Sequence, residues 1–435
     1  MAFVDKITSI FKIPELKRRV LFTLGMLCIY RLGGHVPTPG INADALRAFF
    51  AQQEGSLFGL YDMFVGGNLS QATIFALGIM PYISASIIFQ MLTAVVPYFE
   101  KLQKEGEGGR KKITQYTRYG TVLLALIQGF GVAKFLEGLQ GGTVVLDPGV
   151  AFEFTTVVTL VSGTIFTMWL GEQITERGIG NGISLIIFIG IVASYPADVA
   201  NTVRQVMSGG LHVGVLLVTL VFMVAVIASV ILITQGQRRI PVQYARRVVG
   251  RKVYGGQSTH IPLRVNTAGV IPIIFAQSFI MFPSTLALYW PDNELVQAIA
   301  ANLRFGTVVH SILYSGIIVF FAYFYTAIMF NPTDLADNMK KHGGFIPGIR
   351  PGKRTAEYID RIMTHITLPG AIFLAAIAIL PFVLINQLAV PFFFGGTGLL
   401  IVVGVALDTL QQIESHLLMR HYDGFLKKGR LRGRR

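Results

Sequence analysis

The sequence predicts an all-α polytopic membrane protein with ten transmembrane helices in two inverted pseudo-symmetric halves of five. A short re-entrant helix is expected ahead of the second span. Three observations carry this: long apolar runs, cations confined to alternate loops, and a short motif repeated in the second and seventh spans. The 435 residues are 52 % hydrophobic and 14 % charged, with mean hydropathy +0.59. A soluble chain carries about a quarter charged residues, and a span needs about 20 apolar ones.

Ten segments satisfy that requirement: 19–36, 72–98, 118–137, 154–171, 183–199, 213–234, 267–290, 307–330, 368–386 and 397–416. The first is the weakest, because Arg31 lies near its end. No cleavable signal peptide is expected, since the N-terminus is charged and no small-residue cleavage site follows the first span. The single cysteine, Cys28, excludes an internal disulfide and any cysteine-based metal cluster.

Charge sets the orientation. Of 37 Lys and Arg residues, 32 fall in six segments that ten spans place on one side. These are the first 19 residues, 100–118, Arg177, 238–264, 340–361 and the tail from Arg420. The positive-inside rule puts them, and both termini, in the cytoplasm. Arg31, Arg47, Lys134, Arg204 and Arg304 fall outside. The expected organisation is an N-terminal half (1–200), an external hinge region (201–212), a C-terminal half (213–416) and a basic tail (417–435).

The repeat is Gly78-Ile79-Met80-Pro81-Tyr82-Ile83 against Gly269-Val270-Ile271-Pro272-Ile273-Ile274. Each lies in the second helix of its half, and the two helices run in opposite directions. Matching interrupted helices of this kind mark a functional centre. Each proline removes a backbone hydrogen bond and opposes the carbonyl four residues back, at Leu77 and Ala268, which predicts a kink. Ile79 and Ile83 lie about 10–17 Å from the outer end of their helix, near the midplane. The neighbouring polar residues are uncharged: Ser84, Ser86, Gln90, Gln277 and Ser278. An isoleucine-lined midplane suits a hydrophobic constriction that closes by dewetting.

Ahead of the second span, Ser56–Phe64 is too short to cross the membrane and too apolar for an exposed loop. It reads as a re-entrant half-helix hinged at Gly66-Gly67-Asn68. Two cytoplasmic loops, 234–266 and 331–366, exceed what a connector needs. The first carries seven positive charges and no carboxylate between Gln237 and Asn266, and alternation around Val242, Tyr244, Val253 and Tyr254 permits a hairpin. Such a loop either fixes topology against anionic lipid or docks a large cytosolic partner.

Several long stretches, in order, resemble the bacterial SecY family of protein-conducting channels. They are FALGIMPYISASIIFQML, EGEGGRKKITQYTRYGT, ERGIGNGISLIIFIGIV, QRRIPVQYARR, GQSTHIPLRVNTAGVIPIIFAQS, FNPTDLADNMKKHGGFIPGIRPG and FFFGGTGLLIVVGVALDT. The resemblance implies two halves clamped like a shell, a path for unfolded polypeptide, and lateral exit for signal sequences between spans two and seven. It implies a pore ring at Ile79, Ile83, Ile187, Ile191, Ile274 and Ile401. A plug over about 57–68 follows, with Leu57, Phe58, Leu60, Tyr61, Met63, Phe64, Gly66 and Gly67. A polar lateral gate maps to Ser84, Gln128 and Asn266, beside Gln277 and Ser278. Docking of the ribosome and the motor ATPase SecA maps to Arg238, Arg239, Arg246, Arg247, Arg251 and Arg350. Further partners implied are SecE, SecG, signal sequences, nascent chains, the bilayer and, through the basic loops, ribosomal RNA. No cofactor is implied, and the expected location is the cytoplasmic (inner) membrane.

Two other classes compete with this reading. A secondary transporter with an inverted repeat would place carboxylates or histidines at the midplane, and the spans hold almost none there. An intramembrane enzyme would need a Ser/His, paired-carboxylate or metal-ligand spacing, and no phosphate loop G-x-x-x-x-G-K-[ST] occurs. Gly178–Gly182 follows no strand and is expected to make the turn between spans four and five.

Overall fold

The computed structural model describes residues 13–52, 62, 65–139, 144–209, 212–244, 247–249, 252–254, 258–289, 293–303, 307–388 and 396–428. Each of the ten expected spans carries a helix. In chain order the elements are α1 (Pro14–Gly33), α2 (Ala43–Gln52), α3 (Met80–Val95), α4 (Pro97–Lys104), α5 (Glu107–Gly138), α6 (Val150–Arg177), α7 (Gly182–Met207) and α8 (Val213–Gln235). Strands β1 (Gln237–Tyr244), β2 (Arg247–Val249), β3 (Lys252–Tyr254) and β4 (Ser258–Arg264) follow. Then come α9 (Ile271–Tyr289), α10 (Glu294–Asn302), α11 (Val308–Met329), α12 (Pro332–Lys341), β5 (Gly344–Phe345), α13 (Lys353–Leu388) and α14 (Gly396–Lys428).

Among the described residues, seven helical stretches are long and apolar enough to cross a membrane unaided. An eighth candidate is α3 with α4, which meet at a 95° bend. The bend falls at Pro97, where the preceding residue, Val96, is extended, as the residue before a proline prefers. α1 does not qualify, in line with the charge at its end. The apolar residues of the helices face outward to an unusual degree. On α8, Leu217, Val218, Leu220, Val221 and Val224 are all exposed, and only Val226, Val230 and Thr234 are buried. Such a surface is stable in hydrocarbon and not in water.

The contacts group into two compact units. One comprises Met1–Val203, Met281–Phe305 and Val405–Arg435; the other comprises Arg204–Ile280 and Gly306–Gly404. In the first unit, Leu46 and Phe50 of α2 pack onto Leu69, Ala76, Leu136, Val144, Phe152 and Leu160. The hydropathy pattern predicts no element at α2. Its signals are a capping Asn42, whose Oδ1 accepts from the Asp44 and Ala45 amides, and an amphipathic period. In the second unit, β4, β1 and β5 form an antiparallel sheet, and β2 pairs with β3.

The interrupted helices differ from the expected kink. Pro81 and Pro272 are not in helix interiors. Each stands in the first turn of its helix, where the missing N–H costs nothing. The interruption is the glycine before: Gly78 has φ +53° and Gly269 φ +63°. Span two therefore does not begin as helix at residue 72. Residues 68–79 run as successive turns, and the helix starts at Met80.

The turn at Gly178–Gly182 joins α6 to α7 as expected, and four helices hold it. The Ile179 amide donates to Thr23 Oγ1 of α1 (3.0 Å), the Gly180 amide to Gln412 Oε1 of α14 (2.9 Å) and the Gly182 amide to Thr175 Oγ1 of α6 (2.9 Å). At α7 itself, Asn181 Oδ1 accepts from the Ile183 amide (3.1 Å). A Cβ at Gly182 would overlap the Gly171 carbonyl oxygen. Gly182→Ala is therefore expected to destabilise the chain by about 3 kcal/mol, lowering the thermal midpoint of the detergent-solubilised protein. Gly316→Ala, where nothing lies within 4 Å of the added carbon, serves as the neutral control.

Candidate functional site: the interrupted helices and the two-loop platform

The segment that leads into α3 is held by a compact set of polar contacts. Gly66 and Gly67 are both left-handed, with φ +80° and +79°. Tyr30 of α1, fully buried, donates its hydroxyl to the Val65 carbonyl (3.2 Å). Asn68, also buried, donates Nδ2 to the same carbonyl (2.6 Å) and to the Tyr30 hydroxyl (3.2 Å). Arg31 Nη1 reaches the Gly66 carbonyl (3.3 Å). Asp62 closes the loop, its Oδ1 accepting from the Leu69 and Ser70 amides at 2.9 Å each. Irregular backbone at membrane depth needs such partners.

Steric fit places this segment against α7 and the start of α3. A Cβ at Gly66 would lie 2.8 Å from the Gly190 Cα of α7. One at Gly78 would lie 3.0 Å from Val65 Cγ1. Gly190 sits between Ile187 and Ile191, and Gly78 directly precedes Ile79. In the second unit, a Cβ at Gly404 of α14 would overlap Val270 Cγ1. Gly404 is three residues past Ile401, and Val270 four before Ile274. Ile79, Ile83, Ile187, Ile191, Ile274 and Ile401 are all buried, none more than 6 % exposed.

The uncharged polar residues singled out by the sequence lie on α3, α5 and α9 or beside them. Ser84 and Gln128 are half-buried, Asn266 is half-buried in the turn before α9, and Gln277 and Ser278 are buried. Gln128 Oε1, Gln277 Nε2 and Ser278 Oγ have no hydrogen-bond partner among the described residues. Of the residues assigned to the re-entrant helix, Leu57, Phe58, Leu60, Tyr61, Met63 and Phe64 lie outside the described residues. So do Arg246 and Arg251 of the first long loop, while Arg247 falls in β2.

The two long loops fold together. β1 pairs with β4 from Gln237↔Arg264 to Gln243↔Ser258, and on its other edge with β5 of the second loop. Ile240, Val242 and Leu263 pack on Met339, Ile346, Ile359 and Met363. Burial of each such side chain contributes about 1.5–3 kcal/mol. Arg238, Arg239 and Arg350 are exposed on this platform. Arg350 lies between two left-handed glycines, Gly348 (φ +82°) and Gly352 (φ +103°). No group of three or more His, Cys, Asp or Glu suited to a metal occurs among the described residues.

Sequence reasoning marks Gly66-Gly67-Asn68 as a break but misses its partners Tyr30 and Asp62. The available signal is polar groups at the edges of apolar runs, which in lipid demand a partner. Thr23 and Gln412, which cap the Gly178–Gly182 turn, leave no such trace.

Comparison with known proteins agrees with this architecture. The profile of the SecY family matches residues 73–410. The protein translocase subunit SecY of Escherichia coli K12 is 52 % identical over 425 residues, covering 96 % of each chain. That of Thermus thermophilus is 48 % identical over 434 residues, covering 98 % of each. Among solved structures, one described as a protein conducting channel aligns with TM-score 0.65 at 16 % identity, over 94 % of this chain and 96 % of that one. Sec61 in a canine ribosome–channel complex from the endoplasmic reticulum aligns with TM-score 0.63 at 17 % identity, over the same shares. With a family match over most of its length and relatives near half identical end to end, this multi-pass membrane chain belongs to the SecY family.

Proposed function

We propose that the chain forms the protein-conducting channel of a translocase in the cytoplasmic (inner) membrane, with both termini cytoplasmic. The observation that carries this is the near full-length identity of 52 % to a protein translocase subunit. In this reading the six buried isoleucines seal the path when no substrate is present. The segment ending at Gly66 and Gly67 serves as a plug; in a structural relative, the plug domain of the SecY protein stabilises the closed state and maintains a membrane seal. The contact of Gly66 with Gly190, between two of the isoleucines, supports placing that segment at the seal.

Signal sequences and membrane segments leave sideways between α3 and α9, past Ser84, Gln128, Asn266, Gln277 and Ser278. The halves hinge near 201–212. SecE and SecG complete the channel. SecA and the ribosome dock on the cytosolic platform through Arg238, Arg239 and Arg350, with Arg246, Arg247 and Arg251 on the adjoining hairpin. The chain supplies a path and no catalytic step, so energy comes from the partners' nucleotide hydrolysis or from the membrane potential.

The experiment that tests this is a crosslinking scan. Photoreactive residues at Ile83, Ile187, Ile274 and Ile401, with a secretory chain stalled part-way, are expected to label one short stretch of substrate. Labelling of neighbouring helices alone would make these isoleucines core packing.

Three variants give further expected outcomes. Ile83→Asn buries an unpartnered amide and destabilises the closed state by about 1–3 kcal/mol; ion leak through proteoliposomes rises and discrimination between signal sequences relaxes. Gly66→Ala meets Gly190 and a left-handed backbone, so leak rises while helix content, read by circular dichroism, stays constant. Arg350→Glu weakens motor docking by roughly 30-fold or more without altering the folded bundle; normal motor-driven export by that variant would move the docking site elsewhere.

A further inference from the structure

Arg350 does its proposed work from an unfavourable position. It precedes the N-terminus of α13 by three residues, and Lys353 and Arg354 follow in the first helical turn. All three side chains are exposed. The first turn of α13 contains no acidic residue, and none of the three forms an ion pair among the described residues. The positive end of a helix repels cations. The three also repel one another across a turn in which Pro347 and Pro351 fix φ while Gly348 and Gly352 leave it free.

Its hold is specific. Thr355, the third residue of α13 and 1 % exposed, donates its hydroxyl back to the Arg350 carbonyl at 2.8 Å. The Thr355 and Ala356 amides donate to the Gly352 carbonyl (2.9 and 3.1 Å), and the Ile349 amide to that of Ile346 (3.1 Å). Ile346 is buried in the core that joins the two loops. A side chain at the third helical position reaching back before the helix start is the logic of a capping box, with donor and acceptor reversed. The Thr355 hydroxyl is the one side-chain contact among these. It ties the arginine's own carbonyl to a helix anchored in the platform.

We propose that Thr355 is a positioning residue for docking. Its hydroxyl holds Arg350 in the orientation that meets a carboxylate of the cytosolic motor, against the repulsion of Lys353 and Arg354. This rests on the docking role proposed for Arg350. Thr355 itself, being buried, touches no partner.

The test uses the full channel complex in proteoliposomes and measures translocation ATPase as a function of motor concentration. Thr355→Val keeps shape and burial and removes only the hydroxyl. It is expected to raise the half-saturating motor concentration about fivefold, the scale of one net hydrogen bond, with the maximal rate unchanged. Thr355→Ser, which keeps the hydroxyl, is expected to restore the wild-type value. In an Arg350→Ala background, Thr355→Val is expected to add nothing, because no arginine remains to position. Wild-type behaviour of Thr355→Val beside an impaired Arg350→Ala would overturn the positioning role alone. Equal impairment of the Val and Ser variants would also overturn it, by showing that packing and not the hydroxyl matters. A normal Arg350→Ala would overturn the docking role beneath it. If Thr355→Val shifts ribosome binding and leaves motor binding alone, the turn meets phosphate and the assignment to a carboxylate fails.

Discussion

The constraint on which this structure depends is that backbone placed in hydrocarbon must find hydrogen-bond partners inside the protein. A channel needs irregular backbone there, because uninterrupted helices alone offer no short segment to seal or shape a path. The chain meets both demands by committing polar side chains to main-chain groups. Tyr30 and Asn68 converge on the Val65 carbonyl. Asp62 serves two amides. Between two spans the same device recurs, where Thr23, Thr175 and Gln412 serve three amides of the turn before α7. The three partners of that turn come from three different helices, so the irregular segment also ties those helices together.

Glycine performs the second half of the same task. Where Gly66 meets Gly190, and where Gly182 meets the Gly171 carbonyl, backbone approaches backbone at distances that exclude a side chain. The first of these contacts lies between Ile187 and Ile191, so small residues set how closely that part of α7 approaches the segment before α3. In the sheet built by the two long loops the logic reverts to that of a soluble protein. There an apolar core of Ile240, Val242, Leu263, Met339 and Ile359 joins two loops that lie far apart in sequence, and water supplies the driving force.

Much of this is legible in the sequence. Hydropathy locates a helix in each of the ten expected spans, because the signal of a span is composition, which needs no tertiary context. The Gly78 and Gly269 motifs stand out by their repetition, yet their conformation does not follow from it. A proline in an apolar run looks like a kink, and only the positive φ of the preceding glycine shows that the helix starts there. α2 escapes notice because its apolar face is short and its neighbours are contributed by α5 and α6, far along the chain. The pairing of β1 with β5 is illegible for a related reason: two residues of strand carry no periodic signal. The polar partners of Val65 and Gly180 depend on three-dimensional reach, which spacing does not encode.

The first-turn prolines of α3 and α9 have a mechanical consequence. A kink within a helix couples any rotation to the rupture of ladder hydrogen bonds. A joint placed before the first turn does not, because the swivel at Gly78 or Gly269 lies outside the ladder and the proline nitrogen has no bond to lose. Each rod can turn about its own end while remaining whole. The resistance to that turning then comes largely from packing, such as that of Val65 on Gly78 and of Val270, next to Gly269, on Gly404.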